Sequence, residues 1–90
     1  MPINIYERDS LTEIIYLSES HWDLPNQISD LEDWLDKTDI PAGDYIADIG
    51  FDIRPNASGG GAVLTLNTLK RLYELGIEVY LSEYPNAIKI

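Results

Sequence analysis

Between Tyr45 and Ile53 the odd-numbered positions are all apolar, Tyr45, Ala47, Ile49, Phe51 and Ile53, and the positions between them hold Ile46, Asp48, Gly50 and Asp52. Successive side chains of a strand point to opposite faces, so this run predicts a strand with one apolar face and one face marked by carboxylates. A strand of that kind needs a cover on its apolar side and neighbours along its edges. Those two requirements organise the reading of the remaining chain.

The cover comes from two stretches of helical period. Leu24, Ile28, Leu31 and Leu35 recur at intervals of three and four, with Trp34 at the margin of the same stripe, which predicts an amphipathic helix. Its start has two readings: Pro25 suits a first turn, and Ser29-Asp30-Leu31-Glu32 has the form of a capping box. Asp39-Ile40-Pro41-Ala42-Gly43 closes it with two breakers. Leu66, Leu69, Leu72 and Tyr73 predict a second helix ending at Gly76, a residue suited to the left-handed conformation that stops helices.

The neighbours are shorter. Ile3 and Ile5 alternate with Asn4 and Tyr6, and Glu13-Ile14-Ile15-Tyr16-Leu17 follows a polar Arg8-Asp9-Ser10 turn, predicting two strands and a hairpin. Pro55 to Gly61 cannot continue a strand and reads as a loop, after which Ala62-Val63-Leu64-Thr65 is expected to pair briefly. Ile77, Val79 and Leu81 alternate with Glu78, Tyr80 and Ser82 as a final strand. The order β-β-α-β-(β)-α-β predicts one α+β domain over residues 1–90, a mostly antiparallel sheet of four to five strands with two helices on one face. A chain of 90 residues buries only about 60 to 65% of its unfolded surface, so modest stability is expected.

Charge narrows the function classes. Thirteen acids oppose only Arg8 and Lys37 in residues 1–52, whereas residues 53–90 hold three acids and four bases. The balance is −11 against +1, which together give the formal charge of −10. Charge of this sign disfavours nucleic acid or an anionic membrane as a direct ligand and points to a basic protein partner. Aromatic residues at 10% and apolar residues at 44% exclude a disordered acidic tail. The absence of cysteine removes disulfides and thiolate chemistry and fits a reducing cytoplasm. The N-terminus lacks the pattern of a secretory signal, and no run approaches the roughly 18 apolar residues of a membrane span.

No motif names a reaction. His21 is the single histidine, beside Trp22 with Ser18 and Ser20 nearby, and a serine, a histidine and an acid chosen from composition alone do not make a triad. Asp48 and Asp52 stand on one strand face roughly 13 Å apart, beyond the roughly 5 to 9.5 Å of a glycosidase pair. No twelve-residue calcium loop is present, and Gly59-Gly60-Gly61 lacks the lysine and hydroxyl residue of a phosphate loop. Neither a metal nor a cofactor is expected. What remains is a set of binding candidates. Asp30, Asp33 and Asp36, with Glu32, oppose the leucine stripe of the first helix, and Trp34 is an aromatic anchor beside them. Asp48 and Asp52, with Glu78 and Tyr80 of the last strand, predict a flat acidic surface on the other face.

The stretch from Trp22 to Tyr84 resembles the C-terminal part of the bacterial domain-of-unknown-function family 4279. The residues that carry the likeness are Trp22, the helix Ile28-Ser29-Asp30-Leu31-Glu32-Asp33-Trp34-Leu35 and the strand Ile49-Gly50-Phe51-Asp52-Ile53. To these are added Gly61-Ala62-Val63-Leu64-Thr65-Leu66 and Leu72-Tyr73-Glu74-Leu75-Gly76-Ile77-Glu78-Val79-Tyr80. About two thirds of the chain is covered, and the family's longer N-terminal region is shortened here. The family offers no catalytic residues to transfer, and its small members are often grouped with immunity-type proteins. In architecture alone, without a residue-level match, an acidic α/β chain of this size also resembles barstar, whose helical carboxylates cover a basic nuclease site.

The expectation is therefore a cytoplasmic, non-enzymatic inhibitor of immunity or antitoxin type, a monomer or weak dimer. It masks the basic site of a nuclease or CRISPR-type effector through Asp30, Asp33, Trp34, Asp36, Asp48, Asp52, Glu78 and Tyr80. Two alternatives stand beside it: a phage-encoded DNA mimic directed at a host defence system, and a small enzyme or ligand-binding domain built on His21.

Overall fold

The computed structural model of the chain describes residues 2–85. The alternating run is strand β3, Tyr45–Asp52, and it lies inside the sheet rather than at an edge. Strand β1, Ile3–Glu7, pairs antiparallel with it on one side, placing Ile3 opposite Ile49 and Ile5 opposite Ala47. Strand β2, Glu13–Leu17, pairs antiparallel with β1 as the expected hairpin. Strand β4, Ile77–Tyr84, takes the other side of β3 in parallel register, Tyr45 against Ile77 through Asp52 against Tyr84. The order across the sheet is β2-β1-β3-β4. Two of its pairings are antiparallel, as expected, and the parallel one follows from a connection long enough to cross over through a helix.

One expected strand does not form. Ala62 to Thr65 runs unpaired, because β4 occupies the edge of β3 that this segment would have needed. Thr65 instead becomes the N-cap of helix α2, Leu66–Leu75, its hydroxyl accepting from the Thr68 amide at 3.2 Å. Helix α2 ends at Gly76, whose φ of +81° is left-handed, as its position predicts. A methyl group on Gly76 would lie 1.9 Å from the Gly43 carbonyl oxygen, so only glycine fits there. The Gly43 and Tyr45 amides donate to the Leu75 and Gly76 carbonyls, fastening the end of α2 to the start of β3.

Helix α1, Leu24–Lys37, takes the earlier of its two predicted starts. Asp23 is the N-cap, accepting from the amide and side chain of Asn26, with Pro25 in the first turn, so Ser29 lies inside the helix. Ile28, Leu31 and Leu35 are buried against Ile3, Ile5, Tyr45, Ala47 and Ile49, and Leu72 and Ile77 complete the cluster from the α2 side. Both helices thus cover the face that alternation marked as apolar. Burying a leucine or isoleucine fully stabilises by about 1.5 to 3 kcal/mol, and Ile3, Ile5, Leu31 and Ile49 have no exposed surface. These four are the centre of the core.

Two local features depart from simple alternation. In β2 both Ile14 and Ile15 pack on the core, because the register shifts between Ile5 and Tyr6 of β1, so a bulge turns the extra residue inward. In α2 the expected apolar stripe splits. Leu72 is buried, but Leu66, Leu69 and Tyr73 are 85%, 45% and 86% exposed, and Thr68 occupies the buried position instead.

Candidate functional site

Helix α1 lies on the β2 side of the layer and touches α2 along its opposite flank. That placement divides its acids. On the α2 flank, Glu32 accepts from the Thr68 hydroxyl at 2.6 Å, and Asp36 lies 3.9 Å from the Arg71 guanidinium, which also donates to the Leu35 carbonyl. On the β2 flank, Asp30, Asp33, Trp34 and Lys37 recur at helical intervals and form one wall of an open groove of about 480 Å³. Leu17 at the end of β2 and the loop Ser18-Glu19-Ser20-His21 form the other wall. Asp33 and Asp36, expected together on the polar face of the helix, therefore serve different sides of it.

Two devices hold the loop wall in place. Ser18 has a φ of +60°, an uncommon conformation for a serine, and its hydroxyl donates to Asp30. His21 Nδ1 lies 3.0 Å from the same Asp30 oxygen, Oδ2. These hydrogen bonds, Ser18 first and then His21, hold the Asp30 carboxyl below its usual range despite its partial burial. Behind the loop, the fully buried Gln27 donates through Nε2 to the His21 carbonyl at 3.0 Å and to the Gly50 carbonyl at 2.6 Å. Gln27 thereby ties loop, helix and central strand together. A polar side chain in a sequence reads as surface, but Gln27 stands three residues after Leu24 and four before Leu31, on the buried side of the helix.

The trio of Ser18, His21 and Asp30 is not a nucleophilic triad. In a triad the serine hydroxyl meets the histidine, whereas here serine and histidine converge separately on one carboxylate oxygen. His21 Nδ1 is oriented by Asp30, and its side chain is 43% exposed toward the groove. Among the described residues no three histidine or acidic side chains converge as a metal ion would require.

Of the second set of expected residues, Asp48, Glu78 and Tyr80 lie on the face turned away from the helices, and there they are already partnered. Asp48 stands opposite Tyr80 in the β3–β4 register and accepts from the Ser82 hydroxyl at 2.7 Å. Arg8, in the β1–β2 turn, donates to Asp44 at 2.9 Å, to the Tyr80 hydroxyl at 3.2 Å and to Glu78. Asp44, then Tyr80 and Glu78, push the guanidinium further above its already high range, so Arg8 stays charged. Arg8 thus spans from the hairpin to β4, and Glu78 and Tyr80 are its partners. Asp52 lies elsewhere again, at the end of β3 in a cleft of about 600 Å³ lined also by Trp22, Asp23, Phe51, Arg54 and Glu83. The eight expected residues therefore do not make one surface. The structure brings together Asp30, Asp33 and Trp34, and adds Glu19 and His21 to them.

Comparison with known families, with curated proteins and with solved structures found no match. The candidate site rests on its own geometry. It is a groove with carboxylates from Glu19, Asp30 and Asp33, an indole from Trp34, and Lys37 as the cation on its rim. Such a combination has the chemistry to complement an arginine or lysine side chain, acids for its charge and a ring face for its stem or guanidinium plane. No described helix is long and apolar enough to cross a membrane.

Proposed function

We propose that the protein is a non-enzymatic, protein-binding inhibitor of immunity or antitoxin type, whose α1 edge occupies the basic nucleic-acid-handling site of a partner protein such as a nuclease or CRISPR-type effector. The observation that carries this reading is the acidic groove whose α1 wall sets Asp30 and Asp33 beside Trp34, an indole partly buried against the core. Tryptophan and arginine dominate the energetics of protein interfaces, and a partly exposed tryptophan in a groove with carboxylates is complementary to an arginine-rich partner. The −11 balance of residues 1–52 supplies long-range attraction, and the groove supplies a place for specific contact. A reducing, cytoplasmic setting belongs to the same proposal and is supported by the lack of cysteine.

A DNA mimic is the less favoured form of this idea. Duplex DNA presents a charge every roughly 1.7 Å of axis, and mimicry needs a row. Here the acids are distributed over a groove, a helix flank and a sheet face, with Glu78 held by Arg8. The reading from another class keeps one observation in its favour, the His21–Asp30 pair at 3.0 Å in the groove. It predicts that His21→Ala abolishes turnover of some substrate while partner capture persists.

Capture from native lysate at low and then moderate salt tests the proposal, with Asp33→Lys as the control. A basic, nucleic-acid-processing protein is expected with the wild type, its activity suppressed at equimolar inhibitor, and both effects are expected to weaken at least about tenfold in Asp33→Lys. Recovery of no basic protein, or equal recovery with Asp33→Lys, overturns it.

A further inference from the structure

A second concavity, larger than the acidic groove, opens where β3 and β4 end. The two strands are parallel and finish together, Phe51 opposite Glu83 and Asp52 opposite Tyr84. In sheets with parallel strands, the crevice outside their carboxyl ends is where ligands collect, because the chain leaves the strands there in loops. The cleft of about 600 Å³ lies within the roughly 300 to 1,000 Å³ of small-ligand sites. The loop that carries Ser20 separates it from the groove, and Ser20 lines both.

Three segments wall the cleft: the start of α1 at Leu24 and Pro25, the end of β3 at Phe51, and the loop that follows, at Arg54, Ala57 and Gly61. Gly59, Gly60 and Gly61, with φ of +116°, +80° and +103°, turn this loop back through conformations that favour glycine. Arg54 donates to the Gly59 carbonyl at 2.9 Å and closes the loop on itself. On the opposite wall, Trp22 is braced by Tyr84, the two rings meeting edge to face with centroids 6.0 Å apart. Trp22, Leu24 and Phe51 are partly buried, so each still offers apolar surface to the cleft.

The charged groups around this apolar floor are unequal. Asp23, Asp52 and Glu83 stand against Arg54 alone, and that guanidinium is engaged with its own loop. Asp23 is committed to Asn26 as the cap of α1, whereas Glu83 is exposed and makes no hydrogen bond or ion pair among the described residues. An anion entering the cleft meets three carboxylates, and a cation meets charges that attract it. Two aromatic side chains, Trp22 and Phe51, present surfaces suited to a flat ring, and their π faces also favour a cationic ligand.

We infer that the cleft is a binding site for a small arylalkylamine, whose ring lies among Trp22, Leu24 and Phe51 while its ammonium meets the carboxylates at the strand ends, Glu83 above all. The site does not depend on the inhibitor reading, and its test uses the protein alone.

Amide chemical-shift mapping with phenethylamine, from about 0.05 to about 10 mM near pH 7 and at moderate salt, reads both affinity and place. The expected result is a saturable shift of the Trp22, Phe51, Ile53 and Glu83 amides, with a dissociation constant of about 1 mM or below and with Asp33 and Trp34 unmoved. Phenylacetate keeps the ring and reverses the charge, and butylamine keeps the charge on a lysine-like chain without the ring; both are expected to bind at least about tenfold more weakly. Because Glu83 is exposed, Glu83→Lys is expected to keep its circular dichroism while reversing the order of the amine and phenylacetate. Absence of saturable binding, shifts centred on the groove, equal binding of the ringed and unringed amines, or an unchanged order in Glu83→Lys overturns the inference.

Discussion

At the β2 edge the sheet ends in five residues interrupted by a bulge, flanked by a helix whose groove side carries Asp30, Asp33 and Trp34. At the β4 edge it ends in eight residues of unbroken register, flanked by a helix that leaves Leu66, Leu69 and Tyr73 exposed. One edge is short, bulged and bordered by carboxylates; the other is long and regular, with Glu78 and Glu83 on the strand and apolar residues exposed on the neighbouring helix. The contrast shows that the acidic groove and the exposed apolar stripe lie on different helices, so the two surfaces differ in kind, one charged and one apolar. The net charge of the whole chain describes neither edge.

The largest effect is expected where the β4 edge is anchored. Gly76→Ala combines a left-handed φ with a methyl 1.9 Å from the Gly43 carbonyl oxygen, and should destabilise the protein by about 3 kcal/mol or more, read by urea denaturation. An unchanged midpoint would mean that the junction of α2, β3 and β4 is not built as described.

A smaller loss is expected at the other edge. Gln27→Ala removes two hydrogen bonds, leaves the His21 and Gly50 carbonyls unanswered and opens a void, at a cost of about 2 to 3 kcal/mol. Because Gln27 holds the loop wall of the groove, this variant should weaken partner capture while leaving the junction of α2, β3 and β4 folded. Retained capture at wild-type strength would show that the groove does not depend on Gln27.

The smallest effect is acidic. Asp30, through Ser18 and then His21, and Asp23, through Asn26, both titrate below their ordinary value of 3.8 in the folded chain. The stability they add is complete above that value and is lost as pH falls through the lower folded values. Asp30→Asn should therefore flatten the decline in thermal stability below about pH 4 compared with the wild type. An identical decline in both would show that the Ser18–Asp30–His21 cluster contributes nothing to the loop.

Period and punctuation made most of the fold legible. The alternation from Tyr45, the leucine spacing from Leu24 and the glycine at 76 each mark a local conformation with a steric cause, and each element appears where they place it. The segment Ala62 to Thr65 misled because its composition suits a strand while its fate depended on β4 having already taken the edge of β3. Likewise Leu66, Leu69 and Tyr73 have the period of a buried face, yet only Leu72 of that stripe is inside. Periodicity reports that a helix has an apolar side, not what covers it.

The candidate site was legible in part. Asp33 and Trp34 were readable as neighbours on a helix, but the loop that completes the groove was not, because Glu19 and His21 reach it through the bonds of Ser18 and Gln27. The pairing of Arg8 with Glu78 and Tyr80 spans about seventy positions in sequence, and no local pattern announces it.

The claim that the charged and the apolar surface differ in kind has a direct test in amide chemical-shift mapping by NMR, titrating an arginine-rich peptide into the protein at about 0.15 M salt. The expected result is a set of perturbations centred on Glu19, His21, Asp33 and Trp34, with Leu69, Tyr73 and Leu81 unmoved. Perturbations centred on Asp48 and Tyr80, or on the α2 stripe, would contradict it.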